Sequence, residues 1–226
     1  MERFTVLEAV AAPLLRQNVD TDMIIRVERL RDLERDALGP YAFESWRYLP
    51  DGTEDPGFVL NRPPYREARI ILAADNFACG SSREAAVWAL WGFGIRAVIA
   101  PSFGPIFFNN CFQNGLLPVV LPLEAVMQLA AEVEASQGRG KVRVDLERCQ
   151  VVAPSGKAWS FEIDRLRREG LLQGLDQIEL TRARDAEIRA HQARDRELHP
   201  WIYAAGAWAA PPEAETKSRT MGKAPE

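Results

Sequence analysis

The stretch that decides the fold runs Arg69-Ile-Ile-Leu-Ala-Ala-Asp75, then Asn76-Phe-Ala-Cys-Gly-Ser-Ser-Arg-Glu84, then Ala85-Ala-Val-Trp-Ala-Leu-Trp-Gly-Phe93. The first run has the short apolar pattern of a buried strand, and the third has the length and composition of a helix. Gly80 lets the backbone turn tightly between them. The Ser-Ser-Arg triplet at 81–83 therefore comes to the first turn of a helix. Unpaired amides and the helix dipole there favour a carboxylate, a phosphate or a deprotonated serine.

A capping box is the alternative interpretation of the same residues. Ser81 and Glu84 have the S-x-x-E spacing that satisfies unpaired amides at the start of a helix. A capping box requires neither Gly80 before the serines nor Ser82 and Arg83 after the first of them. Local physics alone therefore leaves an anion site and a simple helix cap both open.

The composition restricts the class of protein. The 226 residues are 47% hydrophobic and 27% charged, which suits one large domain with a substantial core. The formal net charge of −4, without a basic stripe interleaved with aromatic residues, argues against nucleic-acid binding. The N-terminal residues lack the apolar core of a signal peptide, and no run is long enough to span a membrane. We therefore expect a cytoplasmic protein without membrane contact.

Neither the cysteines nor the histidines form a pattern typical of a metal site. Cys79, Cys111 and Cys149 include no C-x-x-C pair, and an odd number of cysteines does not indicate a disulfide framework. His191 and His199 both lie in a polar C-terminal segment. We expect no metal to be held by this chain, so metal chemistry would use another polypeptide. A metal-ligating thiol beside the serines is possible, but a small buried thiol is the commoner role for such a cysteine.

Alternating strands and helices predict an α/β fold with a mostly parallel central sheet and flanking helices. Strands are predicted at Phe4–Leu15, Arg69–Ala74, Arg96–Ala100 and Leu116–Leu121, and helices at 85–94, 106–113, 122–136, 165–173 and 180–197. A hairpin pattern lies between Val142 and Ile163, and Asp51–Pro64 is predicted to be a loop. We expect one domain over residues 1–203 and a disordered tail over residues 204–226.

Read together, the segments resemble the small subunits of 3-isopropylmalate dehydratase, the detached swivelling domain of the aconitase superfamily. The matching motifs are Asn18-Val-Asp-Thr-Asp22 with Ile24-Ile25, Asn76–Glu84, Trp88-Ala-Leu90, Arg96–Phe103, Ile106–Phe112, Asn114–Pro118 and Gly174–Thr181. Their order and spacing cover nearly the whole chain, from about residue 4 to residue 202. A single Gly-Ser-Ser-Arg would be weak support, whereas this many motifs in register is specific.

The resemblance implies an aconitase-type swivelling β/β/α domain that closes over a large partner subunit. In this family the partner carries a [4Fe–4S] cluster, and this chain binds no cofactor itself. The implied reaction removes and re-adds water on a hydroxy dicarboxylate. It converts 2-isopropylmalate and 3-isopropylmalate into one another through isopropylmaleate in leucine biosynthesis.

The resemblance also implies roles for individual residues. Ser81 matches the family's base, used as an alkoxide, and an alkoxide needs a stabilising environment such as a helix N-terminus and a nearby arginine. Ser82 and Arg83 match residues that hold a substrate carboxylate, Arg83 through a bidentate contact. Asp22 matches an aspartate that organises the site from a neighbouring loop. Its alternative role is that of an Asx-turn residue.

The chain departs from the family pattern near these residues. The run Ala85-Ala-Val87 stands where the family has His, Ala and Pro, which removes an imidazole near the serine. Arg26 replaces a proline, Arg29 replaces an aromatic residue, and Arg35-Asp-Ala-Leu-Gly39 stands in the specificity loop. Gly170 takes the place of a frequent cysteine. Because most of these changes meet the loop expected to face the substrate's side chain, the choice of substrate stays open.

Several interpretations follow. One is a leucine-pathway subunit with altered loops, which the match of the motif set along the chain favours. Another is a paralogue for citramalate, citraconate or dimethylmalate, in which Arg26, Arg29 and Arg35 would contact a more polar or more anionic substrate. Alternatively, Arg26 and Arg29 are solvated and pair with Glu28 and Asp32. A hypothesis of another class is a non-catalytic anion- or nucleotide-binding module, although the chain contains neither G-x-G-x-x-G nor a Walker sequence. The loss of the imidazole leaves a third possibility, a subunit that assembles but is inactive.

Overall fold

The computed structural model describes residues 1–80 and 84–204. The chain forms two compact units, one spanning Met1–Leu180 and the other beginning at Thr181. The predicted catalytic and carboxylate-binding residues Ser81, Ser82 and Arg83 lie outside the described residues, as does the predicted tail beyond Ala204. The sheets and most of the helices belong to the first unit, and the site is described within it.

Eight strands and ten helices are found in the described part of the chain. The strands are β1 (Val6–Ala9), β2 (Ala11–Leu14), β3 (Ile70–Ala73), β4 (Ala97–Ala100), β5 (Leu117–Val120), β6 (Val142–Asp145), β7 (Gln150–Val152) and β8 (Ala158–Ser160). The helices are α1 (Thr21–Ile24), α2 (Arg29–Asp32), α3 (Glu44–Arg47), α4 (Ala85–Phe93), α5 (Pro105–Asn114), α6 (Leu123–Ala135), α7 (Arg165–Gln173), α8 (Gln177–Arg182), α9 (Asp185–Leu198) and α10 (Pro200–Ala204). Single turns of 3-10 helix occur at Arg35–Ala37, Gly39–Tyr41, Val59–Asn61 and Tyr65–Glu67.

A four-stranded parallel sheet in the order β2-β3-β4-β5 forms the centre of the fold. Its strands are short apolar runs that are almost wholly buried, which is the pattern expected when helices cover both faces of a sheet. Helix α4 connects β3 to β4, and α5 connects β4 to β5. The predicted strand-helix-strand units and the parallel central sheet are therefore confirmed.

A second sheet is antiparallel, in the order β1-β6-β7-β8. It confirms the predicted hairpin pattern, although the last strand ends at Ser160 rather than continuing to Ile163. The prediction of one strand over Phe4–Leu15 was wrong in part. The segment divides at Val10, whose carbonyl accepts hydrogen bonds from the amides of Arg69 and Ile70, and the chain passes from the antiparallel sheet into the parallel one.

The predicted helix over 180–197 is two helices, and the first begins earlier than expected. Asp176 and Glu179 form a reciprocal capping box, in which each side chain accepts from the other residue's backbone amide at 2.8 Å. This cap starts α8 at Gln177, and the chain turns at Arg184 before α9 begins. None of the residues of α9 is buried, in agreement with its highly charged sequence.

The segment that carries Arg35 packs closely against α4. A methyl group added to Gly39 would lie closer to the backbone carbonyl of Gly92 than any real Cβ approaches. Only a residue without a side chain permits this backbone contact. The 3-10 turns at 35–37 and 39–41 are therefore held on the helix that begins just after the Ser-Ser-Arg triplet.

Within residues 1–80 and 84–204, no helix is both long enough and apolar enough to cross a bilayer.

Candidate active site

The turn at 76–80 is held on both sides by backbone hydrogen bonds. On one side, the Thr21 amide donates to the Cys79 carbonyl at 3.0 Å, and the Cys79 amide donates to the Val19 carbonyl at 3.0 Å. On the other side, the Phe77 amide donates to the Ser102 carbonyl at 3.1 Å, and the Gly104 amide donates to the Phe77 carbonyl at 2.8 Å. The turn therefore continues the order of the parallel sheet beyond the ends of β2, β3 and β4. The carboxyl edge of such a sheet is where ligands commonly bind in α/β proteins.

The backbone of this turn is strained. Asn76 and Ala78 have positive φ angles of 58° and 55°, and Gly80 has a φ of 93°. Residues with a Cβ seldom adopt this conformation, and Ala78 lacks even the polar side chain that helps asparagine to do so. Asn18 in the facing loop is also left-handed, with a φ of 53°, and its side-chain oxygen accepts from Asn76 Nδ2 at 2.8 Å. Strain of this kind is typical of functional sites.

Asp22 lies in α1, a single helical turn within the loop that pairs with this turn, and its side chain is exposed. The capping role in this loop belongs to Asp20, whose Oδ1 accepts from the Met23 amide at 2.8 Å. A Cβ built on Gly80 would lie 3.5 Å from the Asp20 Cβ and 3.9 Å from Thr21 Oγ1. Asp22 therefore belongs to a loop that runs directly beside the entry to the Ser-Ser-Arg triplet.

Glu84 stands at the N-terminal end of α4, directly after the triplet. Its Oε1 accepts from Asn114 Nδ2 at 2.8 Å, so at least one carboxylate oxygen is directed to α5. Ala85 and Val87, which replace the family's His and Pro, are buried in the apolar core. The departure from the family pattern is therefore accommodated by apolar packing on the described side of the turn.

Arg26 and Arg29 line an open cavity together with Tyr41, Glu44 and other residues of the 40–52 segment. Arg29 is held by Glu44, with Nη2 donating to Oε2 at 2.7 Å and Nε donating to both carboxylate oxygens at 3.0 and 3.1 Å. Its guanidinium also stacks 4.2 Å from the centre of the Tyr41 ring. The hydrogen bonds that Arg29 donates to Glu44 raise the pKa of Arg29. Arg29 is therefore a neutralised cation, and its partner is not the predicted Asp32.

Arg26 agrees with the alternative interpretation, in which it pairs with Glu28. Its Nε lies 3.4 Å from Glu28 Oε2 and 3.8 Å from Glu44 Oε1. The Arg26 hydrogen bond is one of the causes that lower the pKa of Glu28, second to a backbone hydrogen bond of Glu28 itself. Two cations thus share two carboxylates beside the cavity.

Arg35 is attached to α4 and α5 rather than to this cavity. Its Nη2 donates to Asn114 Oδ1 at 3.0 Å, and its guanidinium lies 5.3 Å from the Trp88 ring centre. Both contacts are with protein side chains, and the contact of Arg35 with substrate stays a prediction. Sequence reasoning included Asn114 in the matching motif Asn114–Pro118 but assigned it no role, and it missed Glu44. The signal available for Asn114 was its place in that motif, directly before Gly115, and Glu44 had no comparable signal.

The described residues bring no group of three or more histidine, cysteine, aspartate or glutamate side chains together as metal ligands. Cys111 is fully buried, and burial raises the pKa of its thiol. Such a thiol behaves as a small apolar side chain.

Two family models match the chain. The model of the aconitase C-terminal domain matches residues 1–124, and the LeuD_N model matches residues 127–165. The first match spans more than half of the sequence and includes both loops of the candidate site.

Curated relatives match across most of the chain. A protein of Gluconacetobacter diazotrophicus named 3-isopropylmalate dehydratase small subunit is 52% identical over 201 residues, which cover 89% of this chain and 97% of the relative. A protein of the same name from Paracoccus denitrificans is 48% identical over 202 residues, which cover 89% of this chain and 100% of the relative. The chain therefore matches these relatives along their whole length.

A solved structure confirms the predicted fold. The crystal structure of 3-isopropylmalate dehydratase (leuD) from Methanocaldococcus jannaschii is 26% identical, with a TM-score of 0.59, and the match covers 83% of this chain and 99% of that one. The predicted aconitase-type architecture, with a parallel central sheet, an antiparallel sheet and flanking helices, is the one observed.

Gly104 provides a test of whether the fixed position of the turn at 76–80 matters for activity. A methyl group at this position would clash with the Ala78 carbonyl oxygen and lie 3.0 Å from the Cys79 Cα, so Gly104→Ala must displace the turn. We expect turnover to fall at least about tenfold, with a loss of stability of about 1–3 kcal/mol. Steady-state kinetics with the partner subunit and thermal unfolding of the chain would measure the two effects.

Gly156→Ala is the matched control. Gly156 has a φ of 88° and open space around its Cα, and it lies in the β7–β8 turn of the other sheet. Its backbone strain should cost about 1–2 kcal/mol without touching the site. Equal turnover by Gly104→Ala and Gly156→Ala would mean that the close approach of Gly104 to the Ala78 backbone does not shape the site.

Proposed function

Because the chain belongs to the family of 3-isopropylmalate dehydratase small subunits, we propose that it completes the active site of such a hydro-lyase. The identity of about one residue in two along the full length of the named relatives carries this proposal. The position of the Ser-Ser-Arg triplet, between a clamped turn and the first residue of α4, supports it.

The small-subunit name implies a second, large subunit, and we propose that this partner holds a [4Fe–4S] cluster. The proposal rests on family membership. When bound, such a cluster supplies a Lewis acid for the departing hydroxyl group. The residues of this chain then have two tasks, to move the proton and to hold the dicarboxylate.

Ser81 is the proposed base. The proton to be removed lies next to a carboxylate, and serine is a weak base unless its anion is stabilised. Ser81 follows Gly80, whose turn is fixed by both neighbouring loops, and it precedes α4 by four residues. Amides at the start of a helix and the charge of Arg83 would lower the free energy of an alkoxide in this place.

Ser82 and Arg83 are the proposed carboxylate-binding residues. A guanidinium can donate two parallel hydrogen bonds to one carboxylate, which fixes orientation as well as charge. As the proton leaves, negative charge builds on that carboxylate, so the contact strengthens towards the transition state. Asp22 would organise the site from the adjoining loop.

The substrate proposed is the isopropylmalate pair rather than citramalate or dimethylmalate, which carry the same two carboxylates but smaller alkyl groups. The arginines that suggested a paralogue for citramalate or dimethylmalate are matched by carboxylates, Arg29 by Glu44 and Arg26 by Glu28. The Glu44 side chain is only 10% exposed, so Arg29 is neutralised in a partly buried pair. A cavity bordered by the paired Arg26 and Arg29 and by the Tyr41 ring can accept an apolar isopropyl group.

Substrate choice can be measured directly. We expect the chain, reconstituted with its large subunit, to hydrate isopropylmaleate with a kcat/KM at least about tenfold above that for citraconate or dimethylmaleate, which is a difference of about 1.4 kcal/mol. Glu44→Gln should reduce this preference because it leaves Arg29 charged and unmatched. Glu54→Gln, which removes the partner of the exposed Arg66, is the matched control. A higher kcat/KM for citraconate in the wild type would favour the paralogue.

Ser81→Ala should lower kcat by about 10²–10⁴-fold because it removes the proposed base, while the complex still assembles. Ser160→Ala, at an exposed position of β8, is the control and should be fully active. Turnover and subunit association would be measured on the same reconstituted samples. Near wild-type turnover by Ser81→Ala would remove this serine from the mechanism.

Arg83→Lys should raise KM by about tenfold and lower kcat as well, because an ammonium is a point charge that cannot replace the planar fork. The comparison is made with Arg139→Lys, an exposed arginine in the turn after α6. Kinetics of Arg83→Lys that match those of the control would argue against a carboxylate clamp at this residue.

A further inference from the structure

Asn114 lies at the centre of a polar network at the N-terminal end of α4. It is the last residue of α5 and only 5% exposed, so each of its polar atoms needs a partner. Its Oδ1 accepts from Trp88 Nε1 at 3.0 Å and from Arg35 Nη2 at 3.0 Å. Its Nδ2 donates to Glu84 Oε1 at 2.8 Å and to the Asn110 carbonyl at 2.9 Å. An amide oxygen accepts two hydrogen bonds and an amide nitrogen donates two, so the side chain is fully used.

The chemistry of the four partners fixes the orientation of this amide. Trp88 and Arg35 offer only donors, whereas the Glu84 carboxylate and the Asn110 carbonyl offer only acceptors. Exchanging the oxygen and nitrogen of Asn114 would therefore break all four contacts. A buried amide with all its donors and acceptors satisfied is held rigidly, and its loss is costly because desolvated groups are left without partners.

The network joins the two segments that frame the proposed site. Glu84 follows Arg83 directly and marks the N-terminal end of α4. Arg35 belongs to the segment whose Gly39 is packed against the α4 backbone. A shift of the start of α4 relative to the 35–37 turn would stretch hydrogen bonds to one shared amide.

We propose that Asn114 is a positioning residue for the hydration reaction, holding Glu84 and Arg35 in register so that the N-terminal end of α4 keeps its place. This inference rests on the proposed function. The effect of Asn114 passes through Glu84 on one side and Arg35 on the other.

Asn114→Asp tests the donor side of the amide alone. The introduced carboxyl retains an acceptor for Trp88 and Arg35, but it places an oxygen where Nδ2 faced Glu84. Among residues 1–80 and 84–204, the titratable and charged groups that hydrogen-bond to this side chain are Glu84 and Arg35. Two carboxylates at hydrogen-bond distance cannot both ionise freely, so one of them takes a raised pKa in the folded variant.

The sign of the pH dependence follows from that raised pKa. A carboxyl group with a raised folded pKa binds its proton more tightly in the folded state, and the stability this confers is complete below its unfolded pKa of about 4. This stabilisation is lost as the pH rises to the pKa of the group in the folded state. The loss of stability and of kcat/KM in the variant, relative to wild type, should therefore be small in mild acid and complete in mild alkali.

The experiment uses the chain reconstituted with its large subunit, and variant-to-wild-type ratios of kcat/KM are measured from about pH 6 to pH 9. We expect the kcat/KM of Asn114→Asp to be about 10- to 100-fold below that of wild type at the alkaline end of this range, and the reduction to be smaller at the acidic end. Adding Glu84→Gln to this variant should restore most of the activity, because the new amide can donate to the introduced carboxylate. Glu84→Gln alone should cost less than Asn114→Asp because its side-chain oxygen still accepts.

Two further variants keep the test decisive. Asn109→Asp, on the exposed side of the same helix, retains the acceptor for Arg167 and should match wild type. Trp88→Phe removes one donor to Asn114 while keeping an aromatic ring beside Arg35, and it should lower kcat/KM severalfold even if Asn114→Asp does not fold.

The outcomes are distinct. A purely structural role would lower the thermal unfolding midpoint of Asn114→Asp but leave its kcat/KM ratio independent of pH well below that midpoint, and this would overturn the inference. Wild-type kinetics in Trp88→Phe would overturn it as well. A wild-type complex without hydratase turnover would instead reject the proposed function, and the inference with it.

Discussion

The molecule depends on one constraint, the backbone pairing that continues past the ends of three parallel strands. The turn at 76–80 leaves β3, yet it still exchanges hydrogen bonds with the loops that leave β2 and β4. An isolated glycine turn would sample many conformations, and ordering it costs about 1–2 kcal/mol for each residue. Four backbone hydrogen bonds at 2.8–3.1 Å offset this cost and hold left-handed residues at Asn76 and Ala78.

This constraint determines where polar chemistry can be placed. A serine that must act as a base needs an environment fixed before the reaction, because reorganising dipoles during proton removal would raise the barrier. The buried strands and the apolar side of α4 provide that rigidity, and they leave the carboxyl edge of the sheet for polar side chains. The close approach of Gly104 to Ala78 shows how little room the turn has to move.

The sequence predicts the parts of this fold that depend on local pattern. The apolar runs of β3, β4 and β5 and the helices between them were found within one or two residues, because buried parallel strands have an unbroken hydrophobic signature. The division of the N-terminal segment at Val10 was not predicted, since a change of sheet depends on which distant strand accepts each half. The same limit applies to α8, whose start is set by a capping box that hydrophobic periodicity does not reveal.

Side-chain pairing is the least predictable layer, and it changes the interpretation of the site most. An arginine in a sequence carries a charge, but its effect on a substrate depends on what lies opposite it in the fold. Arg29 was expected to pair locally or to meet the substrate, and it meets Glu44, fifteen residues away on α3. Arg35 and Glu84 lie 49 positions apart in the sequence, yet a single buried amide from α5 contacts both. Since neither contact follows a helical or strand spacing, only the folded backbone brings these groups together. Charge balance around the cavity is therefore a property of the tertiary structure, and counting arginines in the sequence overstates the positive charge that the cavity presents.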